Sequence, residues 1–230
     1  MANQSKLQLS GNALKIIAAA AMVIDHVGLM FFPGNMLFRI IGRLAFPIFA
    51  FMVAEGCRYT RNRKRYLGNM ILLAVACQVV YFLADGSMYL SILFTFSLSI
   101  CMIYVLQYWR TKPTALSSLA LTGTILGVYL LNQFFTIDYG FWGCMVPLFA
   151  ALPHGTRFDS KYASIAALGI GLVLLALSLA LGGMQFWCLA ALPLLLLYSG
   201  KRGKHKMKLF FYIFYPVHLA VLQLLAWIWA

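Results

Sequence analysis

Nine apolar runs, separated only by short polar breaks, occupy nearly the whole chain: 14–32, 36–57, 66–84, 89–109, 115–135, 139–153, 162–182, 184–199 and 209–229. A helix of about 20 apolar residues spans the hydrocarbon core of a bilayer, and a soluble fold has no interior large enough to hide nine such runs. Composition agrees. The 230 residues are 63% hydrophobic and 10% charged, where soluble domains carry about 45–50% and about 25%. This excludes a soluble enzyme, a disordered chain and a disulfide scaffold. The expected fold is all-α: a polytopic membrane helix bundle of about nine transmembrane helices. It forms a single transmembrane domain over 1–230, with 1–13 as a short N-terminal segment. The sixth and eighth runs are short, so one of them is expected to be broken or re-entrant. The first run is too long for a signal-peptide core and reads as a span.

The breaks are of two kinds, and nine spans make them alternate strictly. One kind holds turn formers: Pro33-Gly34-Asn35, Asp85-Gly86-Ser87, Asp138-Tyr139-Gly140 and Gly182-Gly183. The other kind is basic: RYTRNRKR from Arg58 to Arg65, Arg110 to Pro113, His154 to Lys161, and GKRGKHKMK from Gly200 to Lys208. Lysine and arginine in loops mark the cytoplasmic side of a membrane protein. The chain is thus expected to start in the cytoplasm and end outside. The formal charge of +13, which in a soluble chain would suggest nucleic acid, becomes a topology signal facing anionic lipid. No nucleic-acid partner is expected. A sharper reading makes the basic loops, with Arg58, Arg61, Arg63 and Lys64, a rim for a phosphate-bearing ligand.

Two arginines escape this pattern. Arg39 and Arg43 lie inside the second run, four residues apart and so on one helix face. Asp25 and Glu55 also fall within runs. An ionised side chain in hydrocarbon costs about 2.5–3.5 kcal/mol on insertion scales and normally faces a partner or a wet cavity. A structural pair of Asp25 with Arg43 is one explanation; a functional cavity between the first spans is the other. Ala18, Ala21 and Gly28 share a face with Asp25 and permit close helix approach there.

His26 and His218 are the candidate proton-handling groups. By helical rise they fall at similar depth, near Asp25 and Arg43. Asp25 and His26, adjacent on one helix, cannot bond each other and need partners on other spans. The spacing of His26, His154, His205 and His218 suggests no metal site. The five cysteines, scattered without a CxxC pair, read as buried packing residues. No P-loop, Rossmann fingerprint or nucleophile elbow occurs.

LKIIAAAAMVIDHVGLMFFP (Leu14–Pro33) and FRIIGRLAFPIFAFMVAEGCRYTRNRKRYL (Phe38–Leu67) closely resemble the TraX family of membrane proteins. So do the Asp138-Tyr139-Gly140 turn followed by Gly143 and the late FYIFYPVHL (Phe211–Leu219). The resemblance implies a multi-pass acetyltransferase of the bacterial cytoplasmic membrane using acetyl-CoA as co-substrate. The family's namesake N-acetylates conjugative pilin subunits. A more distant likeness is to acyltransferase-3 type membrane enzymes. They carry a basic residue, ten intervening residues and a histidine in the first span, as Lys15 and His26 do here. Tyr215-Pro216-Val217-His218 is similar to a late Tyr-x-x-His of that type. That likeness implies donor contacts at Lys15 and Tyr215.

On this reading acyl-CoA approaches from the cytoplasm, its phosphates facing Lys15, Arg58, Arg61, Arg63 and Lys64. The thioester reaches His26, a general base for an amine or hydroxyl acceptor arriving from the outer half. Arg39 or Arg43 stabilises the oxyanion, and Asp25, Glu55 and His218 orient or balance these groups. His218 as the base, and an acetyl-histidine intermediate, stay open. So does the acceptor: a protein N-terminus, an envelope glycan, a lipid or a small amine. The competing reading is a proton-coupled small-molecule transporter built from the same buried Asp, His, Arg and Glu, with Pro47 interrupting the second span. It calls for an internal repeat, and the two halves show no self-similarity.

Overall fold

The computed structural model describes residues 8–86, 88–179, 183–205 and 207–229. Most of the N-terminal segment, Ser87 of the second turn and Gly182 of the fourth lie outside the described residues. Those described form helices and connections with no extended sheet. Seven segments are long and apolar enough to cross a membrane. The first is α1 (Gly11–Phe31), and the second is divided into α2 (Met36–Gly42) and α3 (Ala45–Tyr59). Then come α4 (Arg63–Asp85), α5 (Ile92–Thr111), α6 (Ala115–Phe134), α8 (Lys161–Ser178) and α10 (Lys208–Trp229). The other two runs are shorter: α7 (Gly140–Ala151), and a 3₁₀ segment Met184–Ala190 leading into α9 (Ala191–Leu196). Both runs are short, as the sequence reads, and of the two it is the eighth that is broken, changing from 3₁₀ to α at Ala191, while the sixth is one continuous helix.

Local chemistry explains the ends. Ser10, Asn35, Asn62 and Ser160 each accept a hydrogen bond from a first-turn N–H of the helix that follows. Thr114 and Ser117 cap α6 reciprocally. The division of the second span falls where Pro47 dictates. Proline has no N–H to offer the carbonyl four residues back, here that of Arg43, and its ring crowds that carbonyl. The helix accordingly breaks at Arg43 and Leu44.

Long-range contacts gather the basic breaks at one end of the bundle. Arg58 pairs with Asp159 at 2.9 Å. The Arg110 guanidinium donates to the carbonyls of Leu152 and His154, and Lys161 Nζ to those of Leu196 and Tyr198. The start of α1 joins them, with Gly11 and Asn12 N–H donating to the Lys201 and Arg202 carbonyls. At the opposite end, Leu90 pairs with Ile137 and Tyr89 Oη donates to Asp138 at 2.7 Å. The basic breaks thus share one end, and the second and third of the turn-forming breaks meet at the other. α3 and α5 form the buried centre, while α4 and α6 lie at the periphery with few of their residues buried. Four of the five cysteines are buried, and all five are free thiols.

Candidate functional site

α1 meets α2 through residues too small to keep the chains apart. A Cβ on Gly28 would overlap the Phe38 side chain, and one on Gly42 would overlap the Asp25 carboxylate. That closeness lets the Asp25 carboxylate pair with Arg39 Nη1 at 2.9 Å. The nearer arginine is thus Arg39; Arg43 takes another direction. Placed at the helix break and only 8% exposed, Arg43 donates from Nη1 to the Tyr139 hydroxyl at 3.4 Å. Tyr139 lies face to face with Phe46, ring centroids 4.3 Å apart.

His26 and His218 meet across α1 and α10, their rings edge to face with centroids 5.3 Å apart. Each Nδ1 lies against the carbonyl four residues back, Met22 at 2.8 Å and Phe214 at 3.0 Å. A carbonyl only accepts, so each neutral ring carries its proton on Nδ1 and keeps its lone pair on Nε2. The two rings differ in access. His26 lines a cavity of about 570 Å³, whereas His218 is buried behind it.

This cavity joins the two ends of the bundle. At the basic end its wall holds Asn12, Lys15, Tyr59, Thr60, Gly200 and Arg202. Tyr59, Gly200 and Arg202 are exposed, so this end reaches the surface. A middle stretch is apolar, with Phe49, Met52, Met70, Leu73 and Phe211. At the far end stand Asp25, His26, Tyr81, Asp138, Tyr139 and Tyr215. From Lys15 to His26 the rise along α1 is about 16 Å at about 1.5 Å per residue. The volume lies within the range of about 300–1,000 Å³ usual for ligand sites.

The remaining candidates divide. Glu55 is not brought to Asp25; it lies at the basic end, 3.6 Å from His154 Nε2 and 4.0 Å from Arg58. Burial, with Arg58 second, pushes the His154 imidazole down to about 4, so it faces Glu55 uncharged. Arg58 is committed to Asp159 and Arg63 covers the Tyr104 ring. Arg58, Arg61, Arg63 and Lys64 all stay off the cavity wall, as do Arg39 and Arg43. Lys15 is on it, its Nζ 6.0 Å from the Phe211 ring centroid. Tyr215 is on it too, at the far end rather than beside the basic rim. Among the basic loops, RYTRNRKR lends the wall Tyr59 and Thr60, while GKRGKHKMK is the one whose described residues bring a basic side chain to it, Arg202. Sequence reasoning singled out that loop but could not choose Arg202, because the choice depends on the pairing of residues 199–202 with the start of α1.

No group of three or more His, Cys, Asp or Glu able to hold a metal ion occurs among the described residues.

Asp138 also passed unselected, its position at a turn giving no sign of burial. Burial pushes its carboxyl up to about 6, against the opposing influence of Tyr89 and Arg43. Its ordinary value is 3.8. Between the two values the folded chain holds a proton that the unfolded chain has released. This group therefore makes the fold more stable as pH falls from about 7 to about 4, and its ionised form costs stability above about 6. Asp138→Asn is expected to melt above the parent in detergent at about pH 7.5, with the gap narrowing below about pH 6 and closing only near about pH 4. A gap independent of pH would contradict this.

The comparisons with known proteins are consistent with one family. A family model described as TraX protein matches residues 10–226. The chain is similar to a Dichelobacter nodosus protein named probable fimbrial assembly protein FimC, serogroup H1. The identity is 28%, covering 94% of this chain and 95% of that protein. It is also similar to uncharacterized protein RP591 of Rickettsia prowazekii (strain Madrid E), 33% identical over 44% of this chain and 38% of that protein. No solved structure matches with significance.

Proposed function

Because this chain belongs to the TraX family, we propose that it is a membrane-embedded acetyltransferase. Acetyl-CoA would enter at the basic end and deliver its thioester to His26, where an acceptor is acetylated. The observation that carries this reading is the single cavity with Lys15 and Arg202 at one end and His26 at the other. With the basic end in the cytoplasm of a bacterium, as loop charge favours, that mouth faces the pool of the donor. If the two short runs also cross, the chain ends outside. The CoA phosphates meet Lys15 and Arg202, the apolar stretch takes the pantetheine arm, and the acetyl group lies beside His26.

The chemistry follows from the free lone pair. His26 Nε2 takes a proton from the acceptor amine or hydroxyl as that atom attacks the thioester carbonyl. The tetrahedral intermediate collapses by breaking the C–S bond, and the leaving thiolate takes the proton back from the imidazolium. Direct attack by Nε2, through an acetyl-histidine, uses the same geometry. His218 packs against the His26 ring and holds it in place, which favours His26 as the base. Among acceptors, the name of the Dichelobacter relative favours the N-terminal amine of a pilin-type subunit. Envelope glycans, lipids and small amines present compatible groups.

The test is to incubate the purified protein with labelled acetyl-CoA and a short peptide bearing a free N-terminus. Acceptor-dependent release of CoA with label on the peptide is expected. Lys15→Ala and Arg202→Ala should each raise the KM for acetyl-CoA about tenfold, the worth of about 1.4 kcal/mol of charge-assisted contact, with less effect on kcat. Arg61→Ala, on an exposed side chain away from the cavity, should have a smaller effect. No label transferred to any acceptor, together with uptake of a small solute coupled to protons, would establish the transporter reading in its place.

A further inference from the structure

Tyr139 combines four features that the proposed reaction leaves unused. It is the one residue other than glycine with positive φ among those described, at φ 60°. A left-handed backbone at a bulky residue is uncommon and costs energy, so something must hold it there. The ring is held face to face with Phe46, and a Cβ on Gly143 would overlap the Tyr139 Cβ. The absence of a side chain at Gly143 therefore admits this conformation. Tyr139 also lines the cavity. Its hydroxyl oxygen accepts from Arg43, its one hydrogen-bond partner among the described residues. The phenolic proton is thus left to be given elsewhere.

Arg43 shows the same design from behind. It is buried and sits off the cavity wall. Its Nε has no hydrogen-bond partner among the described residues. An arginine in this position cannot touch a substrate in the cavity. It can polarise the hydroxyl in front of it, because a cation donating to a phenol oxygen makes the phenol proton a stronger donor.

We propose that Tyr139, on the cavity wall, is the oxyanion donor of the acyl transfer, its hydroxyl polarised by Arg43 acting as a positioning residue. This rests on the acetyltransferase reading. As the acceptor adds to the thioester, the carbonyl oxygen becomes an alkoxide and the Tyr139 proton hydrogen-bonds to it. The proton stays on the phenol, and the bond is released when the carbonyl re-forms and the C–S bond breaks. A preorganised donor in a site of low dielectric acts on the transition state more than on bound substrate. The arginines expected from the sequence to meet the oxyanion are replaced in that role by a tyrosine that one of them supports.

The experiment uses the full-length protein in detergent, labelled acetyl-CoA and the free-amine peptide. Tyr139→Phe keeps the ring, its stacking on Phe46 and the backbone conformation, and removes the hydroxyl alone. Its kcat should fall about 100-fold, with the KM for acetyl-CoA within about twofold of the parent. Arg43→Gln should lower kcat less, about tenfold. In the double variant the two losses should fail to add, because Arg43 acts through the hydroxyl already removed. A Tyr139→Phe protein that melts like the parent and retains full kcat overturns the inference and leaves the acetyltransferase reading standing. Fully additive losses overturn the coupling to Arg43. If Tyr139→Phe does not fold, Arg43→Gln alone decides: an unchanged kcat overturns the proposal. If the parent transfers no acetyl group, both the reading and the inference fall.

Discussion

His26→Ala is expected to lower acetyl transfer by about 10²–10⁴-fold, the contribution usual for a positioned general base, while the protein still inserts and folds. The two effects separate for a structural reason. The imidazole bonds Met22 within its own helix through Nδ1, so its removal breaks no hydrogen bond to another span. Alanine is also the best helix former. What is lost is the Nε2 lone pair facing the cavity. His218→Ala should cost less activity, since that ring lies behind the wall and can act only by holding His26 in place. Parallel assays of the two variants, with membrane insertion checked by fractionation, test the assignment. Equal losses would make the pair a single functional unit, and full activity in His26→Ala would remove the histidine from the mechanism.

The second large effect belongs to a glycine. Gly42→Ala puts a Cβ where the Asp25 carboxylate now lies, and the obstacle is a charged group already anchored to Arg39. Overpacking costs about 1–3 kcal/mol when neighbours can shift. Here the shift would also pull Asp25 from Arg39, and separating a buried ion pair costs about 3–5 kcal/mol. Both side chains keep about a quarter of their surface exposed, which reduces that figure through solvent screening. A loss of about 3 kcal/mol is expected, read as a fall in melting temperature in detergent, with activity falling as Asp25 moves away from the cavity. Gly34→Ala and Gly123→Ala are the matched controls, because an added Cβ at either meets nothing within 4 Å. An unchanged melting temperature for Gly42→Ala would mean that α1 and α2 separate without penalty.

Much of the bundle was legible in the residues because a bilayer leaves little choice. Every backbone polar group must be satisfied within a helix once water is absent, so apolar runs and their polar breaks mark the elements to within a few residues. Pro47 even located the division of the second span, since the carbonyl it displaces is that of Arg43. The two short runs were harder to read. Twelve apolar residues describe a short helix and a truncated span equally well, and the 3₁₀ character of Met184–Ala190 has no clear compositional sign.

The site was legible in its membership and not in its pairing. Asp25, His26 and Arg43 were singled out because charge and imidazole are costly in hydrocarbon wherever they stand. Their partners depend on how helices lie against one another. Asp25 took Arg39 instead of Arg43 because Gly42 lets α2 approach closely, and Arg43 turned to a tyrosine ninety-six positions away. Glu55, equally conspicuous in the sequence, went to the basic end with His154 and Arg58.

By itself, then, the sequence determined a multi-pass helical bundle, the segregation of its basic loops and the few polar groups that could act inside the membrane. Hydropathy and charge are properties of residues one at a time, and the bilayer reads them one at a time. Only the tertiary structure decided that Lys15, Arg202 and His26 share one cavity, that His218 stands behind His26, and that Tyr139 reaches the cavity with Arg43 behind it. Those facts arise from close packing between segments distant in the chain. Single missing Cβ atoms, at Gly28, Gly42 and Gly143, set which side chains can meet.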